Sequence, residues 1–231
     1  MTVEAGQLLG SGIYTIPQVA LLVSARIGDV RVWVEGRQGK RAQQPVIRNQ
    51  IGRIGRTVAV SFTNLMELRF VARFSGAGVR LNAIRDIMDE VKELLNHPHP
   101  FATRIVFKTD GKKVVAELLG KNGFHTIYDP RTRNYEMWAI VLQSLKEDVI
   151  FDPSGEIAAW FPRKAVAPNV ILHPAYSFGR PILRRSRIPT EAIAEAFKAE
   201  RSQQAVAELY DISVGQVREA LNFEKHLRMA A

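Results

Sequence analysis

A thirteen-residue pattern occurs twice in this chain, near each end, and each copy predicts two short helices joined by a tight turn. Residues 19–31 read VALLVSARIGDVR and residues 206–218 read VAELYDISVGQVR, so V-A-x-L is followed after five residues by G-x-V-R in both. A helix-turn-helix needs a small residue where the second helix crosses the first, and an apolar residue ten positions later. Ala20 and Val30 meet that spacing, and the second copy has the same residue types at the equivalent positions.

Capping and turn signals place the helices of both copies. The first copy predicts a helix at residues 16–23, with Pro17 in the first turn, where its missing N–H is tolerated. A second helix is predicted at residues 27–34, because Ile27, Val30 and Val34 form one apolar face. Two N-caps are predicted in the C-terminal region: Thr190 before a helix from about Glu191, and Ser202 before a helix that ends at Tyr210. Ser213 and Gln216 are predicted to form a capping box that opens a third helix.

The segment between the two copies mixes strand and helix signals. TVAVSF at 57–62 predicts a strand, and Thr63 or Asn64 is a candidate N-cap for the helix that follows. β-Hairpins are predicted at 103–118, around an Asp-Gly turn, and at 149–161. An amphipathic helix is predicted from a stripe of five apolar residues: Leu81, Ile84, Met88, Val91 and Leu95.

These patterns predict an α+β fold that is mainly α-helical, with helix-turn-helix modules at both ends of a mixed middle domain that contains the β-hairpins. With 231 residues and 46% hydrophobic content, the chain is long enough to bury the cores that this requires. The predicted domains are residues 1–56, a helix-turn-helix with a basic arm; residues 57–162, the mixed α/β middle; and residues 170–231, a trihelical helix-turn-helix domain. A linker is predicted at residues 164–169.

The net charge of +9 is concentrated in two windows. Residues 26–56 hold eight Lys or Arg against two acids, and residues 163–187 hold six against none, so the remainder of the chain is slightly acidic. Basic clusters beside helix-turn-helix motifs favour a polyanionic partner, although solvated loops carry similar charges. Residues 188–231 have a net charge of −2, so the second copy is predicted to be the poorer DNA binder, with dimerisation or partner binding as its alternative role.

In a helix-turn-helix, the N-terminal part of the second helix enters the major groove, where Arg and Gln can read base edges. The same positions would be ordinary surface residues if the motif were only a packing module. The sequence leaves open which copy reads DNA. The candidate DNA-binding residues are Arg26, Asp29, Arg31, Arg37, Lys40, Arg41, Ser213, Gln216 and Arg218.

Neither a catalytic constellation nor a metal site is recognisable in the sequence. The chain has no cysteine, which excludes disulfides and zinc-thiolate sites. His97 and His99 lack a further ligand at a recognisable spacing, and the Gly36-x-x-Gly39-Lys40 segment is too short for a phosphate-binding loop. We therefore predict a protein that is not an enzyme and has neither cofactor nor metal. The absence of a signal-peptide pattern and of long apolar runs predicts a cytoplasmic protein without membrane association.

The C-terminal segment at residues 178–223 resembles the trihelical module known as domain of unknown function 433. The signature of that module is a Gly-Arg-Pro segment, two apolar residues, further arginines and a Pro, followed by a helix-turn-helix. Arg185 and Ser186 depart from the Gly-Thr of the family pattern. The matching residues are Gly179, Arg180, Pro181, Arg184, Arg187, Ile188, Pro189, Ala220, Leu221 and Phe223.

The N-terminal segment YTIPQVALLVSARIGDVRVWVEG, residues 14–36, resembles the helix-turn-helix of MerR-type regulators, in which an aromatic residue near Trp33 is usual. The arrangement of both segments around a long middle resembles the longer VapB-type antitoxins. This resemblance implies an antitoxin of a type II toxin–antitoxin system. Such a protein binds a PIN-domain ribonuclease toxin, suppresses its activity, and represses its own operon by binding operator DNA.

Four arginines are the candidate toxin-binding residues. PIN nucleases hold their metal with several carboxylates, and an inserted Arg can pair with a carboxylate in bidentate geometry. The alternative is that Arg180 and Arg187 brace the trihelical core. The four residues, on a Pro-constrained segment without a nearby acid, are Arg180, Arg184, Arg185 and Arg187.

Two other function classes remain open from the sequence. One is a stand-alone helix-turn-helix transcription regulator without a toxin partner, and the other is a purely protein-interaction module, which would bind specific and scrambled DNA equally poorly. A homodimer is expected because helix-turn-helix readers commonly bind paired half-sites. The apolar stripe on residues 82–95 is a candidate dimer interface, with burial in the core as its alternative.

Overall fold

The computed structural model describes residues 10–39, 42–104 and 145–229 of the chain. Over these residues the fold is mixed α/β, about half helical, with small antiparallel sheets. The chain forms two compact units, each assembled from separated parts of the sequence. Unit 1 comprises Met1–Arg26, Ile51–Phe62 and Ala158–Ala231, and unit 2 comprises Ile27–Gln50 and Thr63–Ile157.

The helices and strands are labelled in chain order within the described residues. The helices are α1 (Ile16–Val23), α2 (Ile27–Glu35), α3 (Phe62–Gly76), α4 (Leu81–Leu95), α5 (Thr190–Glu200), α6 (Gln203–Tyr210) and α7 (Val214–Met229). The strands are β1 (Tyr14–Thr15), β2 (Gly52–Ile54), β3 (Thr57–Val60), β4 (Val149–Phe151), β5 (Ile157–Trp160), β6 (Val170–Ile171) and β7 (Ile182–Leu183). Short 3₁₀ turns lie at Pro100–Ala102 and Ser177–Gly179.

The N-terminal part of unit 1 is a three-stranded antiparallel sheet with β3 in the centre, in the order β1-β3-β2. Tyr14 of β1 lies opposite Val60 of β3. Thr15 then begins α1 with a capping box, in which its backbone N–H donates to the Gln18 side chain at 2.8 Å. Pro17 falls in the first turn as predicted, so the predicted bounds of α1 are confirmed.

The C-terminal part of unit 1 is a three-helix module, α5 to α7, joined to the antiparallel pair β6–β7. Ser202 N-caps α6, and Ser213 forms the capping box of α7 with Gln216, as the sequence predicts. Its core contains apolar residues from all three helices and from both strands. The buried members are Ala167, Val170, Leu183, Ile193, Val206, Ala207, Val217, Ala220 and Phe223.

Two predictions in the C-terminal region are wrong. Thr190 is the first residue of α5 rather than its N-cap; its hydroxyl donates to Glu224 on α7 at 2.6 Å, so a tertiary hydrogen bond replaces the local one. Residues 164–169 are not a linker. Ala167 is fully buried in the core of the trihelical module, because the chain turns at Arg163–Ala167 and returns directly to β6.

Unit 2 is built around α3 and α4, whose buried faces carry large apolar side chains. Phe70 of α3 stacks on Phe101, with ring centroids 3.7 Å apart. Ile84, Met88 and Val91 of α4 are each at most 1% exposed, so the apolar stripe belongs to the core of unit 2. It therefore does not offer the dimer interface that the sequence suggested.

The helix after β3 begins at Phe62, so Thr63 and Asn64 are not its N-caps. Asn64 instead lies buried and fastens the loop before β2. Its Oδ1 accepts from the N–H of Gln50 at 2.9 Å, and its Nδ2 donates to the carbonyl of Arg48 at 3.0 Å. A side chain that can satisfy two backbone groups of a neighbouring segment stabilises more in this position than in a local cap.

The hairpin predicted at 149–161 is confirmed as the β4–β5 pair. Asp152 closes its turn, since the Asp152 side chain accepts from the backbone of Gly155 and Glu156. The other predicted hairpin, with its turn at Asp110 and Gly111, lies outside the described residues. Among the described helices, none is long and apolar enough to cross a membrane.

Candidate functional site

The two sequence repeats share the same local backbone. Each first helix, α1 and α6, has eight residues, and each ends at a non-glycine residue in the left-handed region: Ser24 at φ 55°, ψ 50°, and Asp211 at φ 52°, ψ 51°. The residue after each returns a hydrogen bond to the alanine of the motif, from Ala25 to Ala20 at 2.9 Å and from Ile212 to Ala207 at 3.0 Å. The second helices begin three residues beyond the left-handed residue in both repeats. The repeated letters thus specify a repeated helix-turn geometry.

The first repeat is fastened by an arginine from a distant part of unit 1. The guanidinium of Arg163 donates to the carbonyls of Leu21 and Leu22 at 2.9 and 3.0 Å, and to the Ser24 hydroxyl at 2.9 Å. A cation at a helix C-terminus donates hydrogen bonds to the unpaired carbonyls and interacts favourably with the negative end of the helix dipole. Arg163, part of the basic window at 163–187, therefore has a structural role at the end of α1.

The repeats differ in the exposure of one leucine. Leu22 is 4% exposed, whereas the equivalent Leu209 is 63% exposed. In addition, the helices of the second repeat both belong to unit 1, while α1 belongs to unit 1 and α2 to unit 2. The second repeat is therefore the more self-contained of the two.

The start of α7 is held in place by two side chains. Gln216 is half-buried, and its side-chain oxygen accepts from the N–H of Ser213 at 3.0 Å. The carboxylate of Glu219 accepts two hydrogen bonds from Asn169, one from the backbone N–H and one, at 3.0 Å, from the side-chain amide of Asn169. Ser213 and Arg218 are the exposed polar side chains of the predicted set, and the Ser213 hydroxyl takes part in the same capping box as Gln216. Gln216 would have to leave the capping box in order to contact a base.

Both second helices carry a glycine at their second residue, and the fold gives no steric reason for either. A Cβ built on Gly28 meets nothing within 4 Å, and one built on Gly215 meets only the Ser213 hydroxyl at 3.6 Å. Both backbones have negative φ, so an alanine would fit and would favour the helix. The fold therefore requires neither glycine, and a glycine at this position permits a close approach to the backbone from outside the chain.

The remaining predicted DNA-binding residues are all at the surface where they are described. Arg26, Asp29, Arg31 and Arg37 are exposed. Arg26 belongs to unit 1, and the other three belong to unit 2. Lys40 and Arg41 lie outside the described residues.

The four predicted toxin-binding arginines are exposed along the segment around β7. Arg180 forms an ion pair with Glu191, with N and O atoms 3.5 Å apart and both side chains at least 60% exposed. Arg184 lies over the Phe161 ring at 5.8 Å. Such contacts between exposed groups are weak and leave the guanidinium groups accessible to a partner.

Arg187 has a more constrained position than the other arginines. Its backbone is left-handed, at φ 61°, and its guanidinium stacks 4.2 Å from the centroid of the Tyr176 ring. The imidazole of His173 packs against the Tyr176 ring, with ring centroids 4.5 Å apart. Partial burial, and then the positive charge of Arg187, lower the pKa of His173, so this cluster favours a neutral imidazole.

The turn that precedes the arginines is clamped by β1. The N–H of Ile13 donates to the carbonyl of Phe178 at 3.1 Å, and the hydroxyl of Tyr14 donates to the carbonyl of Gly179 at 2.8 Å. Tyr14 is 3% exposed, and this burial raises its pKa, which keeps the hydroxyl protonated as a donor. The turn itself exposes Phe178, which is 63% accessible to solvent.

The sequence did not mark Phe178, Gly28 or Gly215 as candidate functional residues. The Gly-Arg-Pro motif begins one residue after Phe178, at Gly179, whose φ is 84°. The exposure of Phe178 depends on the clamp from β1, about 165 residues earlier in the chain, and local patterns contain no signal for it. Within the described ranges, no group of three or more His, Asp or Glu side chains is placed to hold a metal ion.

The trihelical module matches a known protein family. Residues 170–223 match the family described as "Protein of unknown function (DUF433)". This confirms the resemblance inferred from residues 178–223. The module covers about a quarter of the chain.

A curated sequence and a solved structure from Mycobacterium tuberculosis are similar to this chain over most of its length. The protein named "Putative antitoxin VapB45" is 24% identical over 224 residues, which cover 91% of this chain and 92% of that protein. The X-ray crystal structure of Rv2018 superposes with a TM-score of 0.71 at 19% identity, covering 90% of this chain and 96% of that one. The fold of this chain is therefore that of Rv2018, and its sequence is similar to the protein named as an antitoxin over 91% of the chain.

Proposed function

We propose that this protein is the antitoxin of a type II toxin–antitoxin system, which neutralises a PIN-domain ribonuclease toxin and represses its own operon by binding DNA. One observation carries the proposal: the similarity to the protein named as an antitoxin extends over 91% of this chain and 92% of the relative. Similarity across both units and the DUF433 module favours a shared function of the whole chain rather than of one module. In this proposal the protein is not an enzyme.

The toxin-binding surface of the proposal is the arginine segment at Arg180, Arg184, Arg185 and Arg187. These side chains are exposed, and residues 163–187 contain no acid. A nuclease that binds its metal with carboxylates has an acidic pocket, to which guanidinium groups are complementary in charge and geometry. The proposed complex would block the approach of RNA to that pocket.

The DNA-binding surface of the proposal is the N-terminal turn of a second repeat helix. In the second repeat, the exposed Ser213, Gly215 and Arg218 are available there. In the first repeat, the equivalent Gly28 lies between Arg26 and Arg31, with Arg37 beyond the helix. A homodimer would place two such helices on paired half-sites.

The proposal is tested by co-expressing the full chain with the product of the gene beside its own, which the proposal expects to be a PIN-domain nuclease. We expect a stoichiometric complex in native mass spectrometry and loss of RNA cleavage when the chain is added to the nuclease. Binding to the promoter fragment of the same operon should weaken steeply as salt rises, because phosphate contacts release counterions. Specific promoter binding without any nuclease complex would instead favour a stand-alone transcription regulator.

The two exposed glycines provide a test of which repeat reads DNA. Replacing Gly215 or Gly28 with Ala should raise the free energy of unfolding slightly, by up to about 1 kcal/mol, since alanine is the better helix former. In the repeat that reads DNA, the new Cβ should weaken promoter binding by roughly 10-fold, the effect of one lost base contact. Fluorescence anisotropy measures the affinity and urea unfolding measures the stability.

The two variants serve as controls for each other, because they make the same change at equivalent positions. A stabilised protein with weakened DNA binding cannot be explained by loss of fold. If both variants bind the promoter as the wild-type chain does, the major-groove docking of either repeat helix is wrong.

A further inference from the structure

The turn at Ser177–Gly179 has an unusual backbone. Three consecutive residues have positive φ: Ser177 at 49°, Phe178 at 56° and Gly179 at 84°. Glycine adopts this region readily, but a bulky aromatic residue there is a genuine outlier whose backbone is strained. The surrounding structure must therefore impose this conformation.

The clamp from β1 is what imposes it. The carbonyl of Phe178 accepts a hydrogen bond from the N–H of Ile13, and the carbonyl of Gly179 accepts one from the hydroxyl of Tyr14. Gly179 also packs so closely on Tyr14 that only a glycine fits. Arg180 N–H then returns to the carbonyl of Ser177 at 3.1 Å, which closes the turn. The turn is thus rigid on both sides of Phe178.

The strained turn does not bury the ring of Phe178. The side chain is 63% exposed, whereas strain in a fold is normally compensated by burial or hydrogen bonding. The strained backbone holds a large apolar side chain at the surface, where most of it faces solvent. Aromatic residues presented in this way are typical centres of protein interfaces, because two χ angles cost little entropy to fix.

The charge next to Phe178 defines the kind of partner. Arg180, Arg184, Arg185 and Arg187 follow within nine residues and are all exposed, and the segment from 163 to 187 contains no acid. We propose that Phe178 is the apolar anchor of a protein interface, inserting into a pocket of a partner whose rim carries carboxylates that the flanking arginines bind. The inference rests on the proposed function, because it identifies that partner as the PIN-domain toxin.

The anchor is tested with the full chain and the neighbouring gene product, the nuclease that the proposed function expects. Phe178→Asn removes the ring, and asparagine tolerates the left-handed backbone, so the turn should keep its shape. We expect the Kd for the nuclease to rise roughly 30-fold or more, as for a central aromatic residue of an interface. The Tm should stay the same or rise. Phe178→Gly, which adopts positive φ without strain, should have the same effect on binding.

Leu209→Asn is the matched control, because Leu209 has the same 63% exposure and lies in the same unit but away from the arginine segment in sequence. It should bind the nuclease as the wild-type chain does. If Phe178→Asn and Phe178→Gly also bind within about threefold of wild type, Phe178 is not an anchor although the antitoxin function stands. If the wild-type chain does not bind the nuclease at all, both the proposed function and the anchor are overturned.

Discussion

Gly179→Ala should lower the free energy of unfolding of the protein by about 3–5 kcal/mol, because the added methyl group would clash with a buried side chain. The added Cβ would lie 2.2 Å from the hydroxyl oxygen of Tyr14 and 2.8 Å from its Cζ. Tyr14 is buried and cannot move aside without breaking its hydrogen bond to Gly179. The positive φ of 84° adds backbone strain for any residue with a Cβ. Urea unfolding followed by hydrogen exchange in β1 measures the loss.

Gly52→Ala separates the clash from the strain. Gly52 has φ 81°, and a Cβ built there meets nothing within 4 Å, so it should cost only the strain of a left-handed alanine, about 1 kcal/mol. Tyr14→Phe combined with Gly179→Ala should recover part of the loss, because it removes the nearest clashing atom. Equal effects of Gly179→Ala and Gly52→Ala would show that the packing of Tyr14 on the turn is not tight.

The helices were predictable where their signals are local. The two V-A-x-L segments allowed both eight-residue helices to be predicted, because helix length there depends on nearby caps and on one left-handed residue after the last turn. Local signals were wrong at Thr190 and Asn64, where a distant partner offered a better hydrogen bond than the local cap. Polar residues that fit a cap also fit a tertiary contact, and sequence alone does not decide between them.

The division into units was not predictable from contiguous patterns. Unit 1 joins the N-terminal strand and helix to the trihelical module, which are separated by more than a hundred residues. The division into domains at 1–56, 57–162 and 170–231 remains a prediction of the sequence. The same long-range assembly explains why the candidate site was only partly predicted: the arginines are visible as a run of charge, whereas the exposure of Phe178 depends on Tyr14.

Charge reversal of the arginine segment should abolish toxin inhibition if this segment enters the acidic pocket of the nuclease. For the double variant Arg184→Glu and Arg187→Glu we expect the Kd to rise by roughly 100-fold or more, because each new carboxylate faces carboxylates in a desolvated interface. Folding should change little: Arg184 is exposed, and the stacking of Arg187 on Tyr176 contributes only about 0.5–1 kcal/mol at an exposed site. Inhibition of RNA cleavage and the salt dependence of the association rate measure the effect.

Arg201→Glu is the control for the single variant Arg187→Glu. Both arginines are exposed and left-handed, at φ 54° and 61°, so the two variants make the same change of charge on the same backbone conformation. Arg201 caps α5 and lies outside the arginine segment, so its reversal should weaken the helix end slightly and leave inhibition intact. If Arg187→Glu, Arg201→Glu and the double variant all inhibit the nuclease as well as the wild-type chain does, toxin binding through this segment is contradicted. The arginines would then act as braces of the trihelical module, and Arg187→Glu would lower its stability more than Arg201→Glu does.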